Sequence, residues 1–128
     1  MVLKKYLHVI VKMQVTHAKS RKEIHMNIII GNEENFDALI SGELTIVDFF
    51  ATWCGPCKML SPVLEELAND RSEVKIVKID VDENQNLAKT YGVMSVPTMI
   101  LLKNGEAIAT KIGYLPKEQL EEWIEENK

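Results

Sequence analysis

The sequence predicts a single α/β domain: a mixed, partly parallel β-sheet with helices on both faces. Three observations predict it. Strand-like and helix-like patterns alternate along residues 26–128 in the order β-α-β-α-β-α-β-β-α, and such alternation builds parallel strands covered by helices. Leu44–Phe50 is a near-continuous apolar run, as a central strand covered on both faces requires. Asn104-Gly105 separates the last two strands, and this dipeptide marks a tight antiparallel hairpin.

Taken in order, Met26-Asn27-Ile28-Ile29-Ile30 is rich in β-branched residues and stops at Gly31, a first strand. Asn32 is placed to cap a helix, with Glu33 and Glu34 favourable in its first turn. Phe36, Leu39 and Ile40 follow at helical spacing, and Gly42 closes the element. The second strand, Leu44–Phe50, is interrupted by one charge, Asp48. Pro56 suits the first turn of the next helix, where its missing N–H is not needed. Met59, Leu60, Val63, Leu64, Leu67 and Ala68 form that helix's apolar stripe, and Pro62 inside it predicts a kink. Val74–Val81 reads as a third strand, and Asn84–Tyr91 as a short helix ended by Gly92. Thr98–Leu102 and Ala107–Ile112 are the hairpin strands, the second broken by Gly113. Pro116 opens a final helix with Leu120, Trp123 and Ile124 on one face and Glu121, Glu122, Glu125 and Glu126 on the others.

Composition narrows the function. With 128 residues, 46% hydrophobic and 27% charged, the chain has the profile of one soluble globular domain. No apolar run approaches the ~20 residues of a membrane span. Two cysteines are too few for a secreted disulfide scaffold. Charge is uneven, however. Residues 1–25 hold Lys4, Lys5, Lys12, Lys19, Arg21 and Lys22 against Glu23, while 26–128 carry nine basic and eighteen acidic residues. The break divides the chain into a basic extension, 1–25, expected to be flexible, and a domain, 26–128. Met26 is a candidate second start. As a signal peptide, the extension has too short an apolar core and no small-residue cleavage site; as a transit peptide it is poor in Arg and Ser. It lacks the aromatic interleaving of a nucleic-acid surface, so no nucleic-acid partner is expected. His8, His17 and His25 are not at metal-ligand spacing.

The chemistry sits in Trp53-Cys54-Gly55-Pro56-Cys57-Lys58, where a buried strand gives way to a helix. A Cys-x-x-Cys at such a junction reads as a redox motif. Cys54 falls at the helix N-terminus, where unpaired N–H groups and the helix dipole favour the thiolate, the nucleophilic form. Gly55 and Pro56 let the two sulfurs meet within one helical turn. Cys57, one turn further in, is expected to be the less exposed and suits the resolving role. Two blander readings stand beside this one. Half a zinc site is one, but it lacks further ligands at suitable spacing. A pair of inert buried cysteines is the other, and the intervening Gly-Pro and preceding Trp53 argue against it. Asp48, six residues before Cys54, is flanked by apolar residues, so burial is expected, and with it a raised pKa.

With the motif, Val47-Asp48-Phe49, Val96-Pro97-Thr98, Lys103-Asn104-Gly105 and Gly113 match the thioredoxin family in order and spacing. The chain resembles that family over about residues 26–128. It departs at Phe50, where many members carry Trp. The resemblance implies the thioredoxin fold, a central mixed sheet flanked by four helices. It also implies a protein disulfide reductase with no bound cofactor, recharged by thioredoxin reductase and NADPH. The pair Cys54–Cys57 would be the redox disulfide, with Asp48 the proton acceptor for Cys57 and Lys78 moderating that acid. Pro97 would follow a cis bond that sets the Val96 backbone beside Cys54. Trp53, Gly92, Val93, Pro97 and Gly113 would form a flat apolar rim for substrate. Implied clients are disulfide proteins such as ribonucleotide reductase, peroxiredoxin and methionine sulfoxide reductase. The expected state is a cytoplasmic monomer, or an organellar or exported protein if residues 1–25 are a targeting segment. Two other functions compete: an oxidase or isomerase on the same fold, against which the Gly-Pro dipeptide argues, and a binding subunit whose redox chemistry is incidental.

Since the strands, helices and cysteine pair all fall within 26–128, removing residues 1–25 should leave the fold and the reductase activity nearly intact. Thermal melting and a disulfide-reduction assay on both chains check this. A truncated protein that melts several degrees lower, or loses activity, would show that the extension covers an apolar patch or a sheet edge.

Overall fold

Six of the seven residues of Leu44–Phe50 are buried. A strand achieves that only with neighbours on both sides and helices above and below it. The computed structural model, which describes residues 27–128, supplies both. Its elements are β1 (Ile28–Ile30), α1 (Phe36–Leu39), β2 (Leu44–Phe50), α2 (Gly55–Asp70), β3 (Lys75–Asp80), α3 (Gln85–Thr90), β4 (Thr98–Lys103), β5 (Glu106–Ile112) and α4 (Lys117–Asn127). The strands form one five-stranded sheet in the order β1-β3-β2-β4-β5. β1, β3 and β2 run parallel, and β4 and β5 are antiparallel to their neighbours. This is the mixed sheet with four helices that the sequence predicts.

Side chains alternate across a strand, so β2 feeds two cores. On one face Leu44 and Ile46 join Ile76, Met99 and Leu101 beneath Leu60, Leu64 and Leu67 of α2 and Leu120, Trp123 and Ile124 of α4. On the other, Val47 and Phe49 join Val77, Ile79, Ile100 and Leu102 beneath Phe36, Ile40 and Ala88. The Phe36 and Tyr91 rings close this second core edge to face, 5.6 Å apart. Asp48 has the parity of Ile46 and lies on the α2 face, with Lys78 beside it on β3 and Met99 beside it on β4.

Several boundaries differ from the sequence reading. β1 begins at Ile28; the Asn27 carbonyl still accepts from Ile76 N–H at 2.7 Å, and Met26 lies outside the described residues. α1 is a single turn, because the polar start signals are used elsewhere. Asn32 Oδ1 accepts from the Glu34 and Asn35 N–H groups, each at 2.9 Å, and so closes a turn before the helix. Glu33 caps a different helix: its Oε2 accepts from Asn86 and Leu87 N–H at the start of α3. Asn84 completes the tie, accepting from Glu33 N–H and donating to the Asp80 carbonyl. Pro62 lies within α2, which is one continuous element from Gly55 to Asp70. Among the described residues no helix is long and apolar enough to cross a membrane.

Leu64 is 1% exposed and sits between β2 and α4 in the larger core. Leu64→Ala should therefore cost about 2–5 kcal/mol. In urea unfolding, the midpoint should fall with an unchanged slope.

Candidate active site

β2 ends at Phe50, and after four linking residues the chain enters α2 at Gly55. Cys54 is the N-cap of that helix, with extended backbone at φ −91° and ψ 117°. Its Sγ accepts from the Cys57 N–H at 3.1 Å, occupying the place of a capping oxygen. Its carbonyl accepts from Lys58 N–H, an early helical hydrogen bond. Pro56, in the first turn, removes a donor that would have had no partner. The result is a Cys54–Cys57 disulfide with the two Cα atoms 5.3 Å apart.

Both cysteines are buried, Cys54 at 4% and Cys57 at 5%. The expectation that Cys57 would be the less exposed therefore does not hold in this oxidised form. Both cysteines sit in one small apolar cluster with Ala51, against Phe50, Val81 and Val96. The Val96 carbonyl oxygen lies 3.7 Å from Cys54 Sγ.

The predicted substrate residues divide. Trp53 is 69% exposed, so it is not a core residue, and its Nε1 donates to Asp82 Oδ2 at 2.9 Å. Trp53, Val93 and Val96 line one groove of about 180 Å³, together with Val81, Met94 and Ser95. The Val96–Pro97 bond is cis. Pro97 itself is buried and does not line the groove, because it feeds directly into β4 and its carbonyl is taken by Gly113 N–H at 2.8 Å. Gly92 and Gly113 frame the segment rather than line the groove. Both have left-handed backbone, φ +68° and +93°, which suits glycine. A Cβ at either would meet nothing within 4 Å, so the requirement is conformational. Met94, 94% exposed, and Asp82 escape sequence reasoning. A lone Met in an apolar stretch is indistinguishable from core, and one acid among Asp80, Asp82 and Glu83 carries no distinguishing signal.

On the α2 side of the disulfide, Asp48 is 1% exposed. Burial pushes its carboxyl from the ordinary 3.8 up to about 6, and the Lys78 ammonium pulls the other way. Oδ1 is buried without a hydrogen-bond partner, and Oδ2 lies 3.9 Å from Lys78 Nζ. Lys78 is itself largely buried; its Nζ donates to Ser61 Oγ at 2.8 Å and lies 5.1 Å from the centre of the Phe50 ring. A cleft of about 220 Å³, lined by Phe50, Cys57, Ser61 and Lys78 among others, runs from Lys78 and Ser61 to the disulfide, and Asp48 lies behind Lys78 rather than in its lining. Ser61 was not anticipated from the sequence, although its spacing four residues after Cys57 sets both on one helix face. Among the described residues no cluster of three His, Cys, Asp or Glu side chains is placed to hold a metal ion.

The arrangement, a helix-capping sulfur paired with a second one turn on and a buried acid nearby, has close counterparts. The Thioredoxin family model matches residues 27–126. The chain is 51% identical to the thioredoxin of Bacillus subtilis (strain 168) over 100 residues, 77% of this chain and 96% of that one. It is 50% identical to that of Staphylococcus saprophyticus over 103 residues, 80% of this chain and 99% of that one. Among solved structures, a mutant thioredoxin from Halobacterium salinarum NRC-1 superposes with a TM-score of 0.72 at 40% identity. That match covers 77% of this chain and 88% of the other.

Asp48 makes stability depend on pH with a definite sign. Below 3.8 the carboxyl is protonated in both folded and unfolded chains. Between 3.8 and about 6 the unfolded chain ionises first, so folding stability falls as pH rises through this window. Above it the loss is complete, at about 3 kcal/mol. Asp48→Asn should therefore stabilise the oxidised protein by up to about 3 kcal/mol near pH 8, and hardly at all near pH 3.5. Urea unfolding of both proteins at the two pH values measures the difference, and an equal effect at both would contradict it.

Proposed function

The chain belongs to the thioredoxin family, and from that premise we propose a division of labour for its activity: Cys54 attacks, Cys57 resolves and Asp48 takes the proton. The activity is that of a thiol–disulfide oxidoreductase, a protein disulfide reductase working by dithiol–disulfide exchange through this pair. The observation that carries the assignment of Cys54 is its place as the cap of α2, with the Cys57 N–H aimed at its sulfur from 3.1 Å. A negative sulfur there gains the N–H and the positive end of a 16-residue helix. Cys57, inside the first turn, has no such position.

In the proposed sequence the Cys54 thiolate attacks one sulfur of a client disulfide. The client S–S bond breaks, one client thiolate leaves, and a Cys54–client mixed disulfide forms. Asp48 removes the Cys57 proton. The Cys57 thiolate then attacks Cys54 Sγ, the second client sulfur leaves, and the Cys54–Cys57 bond closes. Two electrons have passed to the client. Thioredoxin reductase returns two from NADPH, and the chain needs no bound cofactor. Lys78 moderates Asp48, while Gly55 and Pro56 shape the turn that holds the pair. The client segment lies along Trp53, Val93 and Val96, with Gly92, Pro97 and Gly113 holding that surface in shape. The apolar groove beside Val96 and the indole fixed by Asp82 support this.

The finer setting is also part of the proposal. Residues 26–128 are the working domain and 1–25 an accessory extension. The protein acts as a cytoplasmic monomer on clients of the ribonucleotide reductase, peroxiredoxin and methionine sulfoxide reductase kind. Family membership and the completeness of the fold within the described residues support this setting.

Two linked measurements test the roles. With thioredoxin reductase and NADPH, the full chain should reduce insulin disulfides, and Cys54→Ser and Cys57→Ser should each fall to background. The Cys57→Ser protein should accumulate mixed disulfides with clients through Cys54. If Cys54→Ser traps clients as well as Cys57→Ser does, the order of attack is reversed.

A further inference from the structure

Asp48 and Lys78 are direct neighbours across the β2–β3 ladder. A buried carboxylate and a largely buried ammonium at such positions ordinarily join in a hydrogen-bonded pair, since each is costly to bury alone. Here they do not. Lys78 Nζ stops 3.9 Å from Oδ2, beyond hydrogen-bond distance, while Oδ1 is buried without a partner. The ammonium is instead engaged by Ser61 Oγ at 2.8 Å. Ser61 reaches it because α2 carries residues 57 and 61 on one face, both lining the same cleft.

We propose that Ser61 is a positioning residue for the exchange reaction: its hydroxyl holds the Lys78 ammonium short of contact with the Asp48 carboxyl, which keeps that carboxyl free to accept the Cys57 proton. The inference rests on the reading of Asp48 given above. The groups that face Asp48 are few. β3 presents Lys78 and β4 presents the uncharged Met99; on α2, Cys57, Lys58 and Ser61 line the cleft that Lys78 also lines. Lys78 is the one charge that acts appreciably on Asp48, and burial outweighs it. Attraction between the two charges grows inversely with distance. Closing the gap to a hydrogen bond would make Asp48 a weaker base and slow proton removal where it is now poised to act.

Without the Ser61 hydroxyl, the ammonium keeps the Asp48 carboxylate, 3.9 Å away, as its charged partner. Ser61→Ala suits a helix interior, so the fold should be kept. The test is a carbon-13 NMR titration of the Asp48 carboxyl in the oxidised full chain, where neither cysteine titrates. The midpoint should fall by ~1 pH unit in Ser61→Ala and return in Ser61→Thr, which keeps the hydroxyl. In a Lys78→Gln background, Ser61→Ala should leave the midpoint unmoved. A midpoint that stays put or rises in Ser61→Ala alone would overturn the proposal. A second arm follows the pH profile of client release from the mixed disulfide, which should move to lower pH by the same amount. A carboxyl that shifts while this profile stays fixed would overturn the reading of Asp48 as proton acceptor, and not the hold of Ser61 on Lys78.

Discussion

The burial of β2 on both faces is the constraint on which the rest depends. It puts the strand in the middle of the sheet, between β3 and β4, and so fixes where its last residue points the chain. From that end the backbone passes through Ala51 into α2, whose first turn carries both cysteines. The sheet then brings the other parts to the same edge. Phe50 pairs with Asp80 at the end of β3, Phe49 with Thr98 at the start of β4, and Thr98 with Ile112 at the end of β5. Val81 and Gly113 follow those positions by one residue, and Val96 precedes Thr98 by two. Loops at the end of a rigid sheet can carry reactive groups without loss of precision, because the ladder hydrogen bonds set their spacing.

The same two-sided burial gives the site its electrostatics. β2 has no solvent-facing side, so a carboxyl on it must be desolvated, and Asp48 titrates near 6 as a consequence. Lys78, 3.9 Å away, is the charge that opposes this shift. The disulfide is governed by a different field. Its Cys54 sulfur meets the N–H end of α2, which favours negative charge, whereas the acid meets a low-dielectric interior, which disfavours it. One sulfur and one carboxyl are thus pushed in opposite directions by two elements joined by a four-residue link, 51–54.

The exposed features beside the disulfide depend on side-chain ties that no strand or helix pattern encodes. Trp53 is held by Asp82. Asp82 lies in a turn where its own N–H donates to Asp80 Oδ1, and Asn84 ties the Asp80 carbonyl to Glu33. A charge that reads as a helix-start signal near residue 33 thus serves a helix more than 50 residues away, and steadies the turn from which the indole is anchored.

Much was legible in the sequence because it rests on local chemistry. Apolar period, Pro and Gly punctuation and the Asn104-Gly105 turn determine the element order. The Cys-Gly-Pro-Cys run at a strand–helix junction determines which atoms react, and the apolar neighbours of Asp48 determine that it is buried. Tertiary structure decided what depends on register and on distant partners. It shortened α1 to one turn because Glu33 capped α3, and it set Pro97 beneath the surface rather than on it. It also buried Cys54 as deeply as Cys57. Above all it brought Ser61 to the Lys78 ammonium beside Asp48. Two strands and a helix converge there, and the ammonium lies 2.8 Å from the Ser61 hydroxyl but 3.9 Å from the Asp48 carboxylate. Residue spacing along a chain does not specify a distance of that kind; only the packing of α2 on the sheet does.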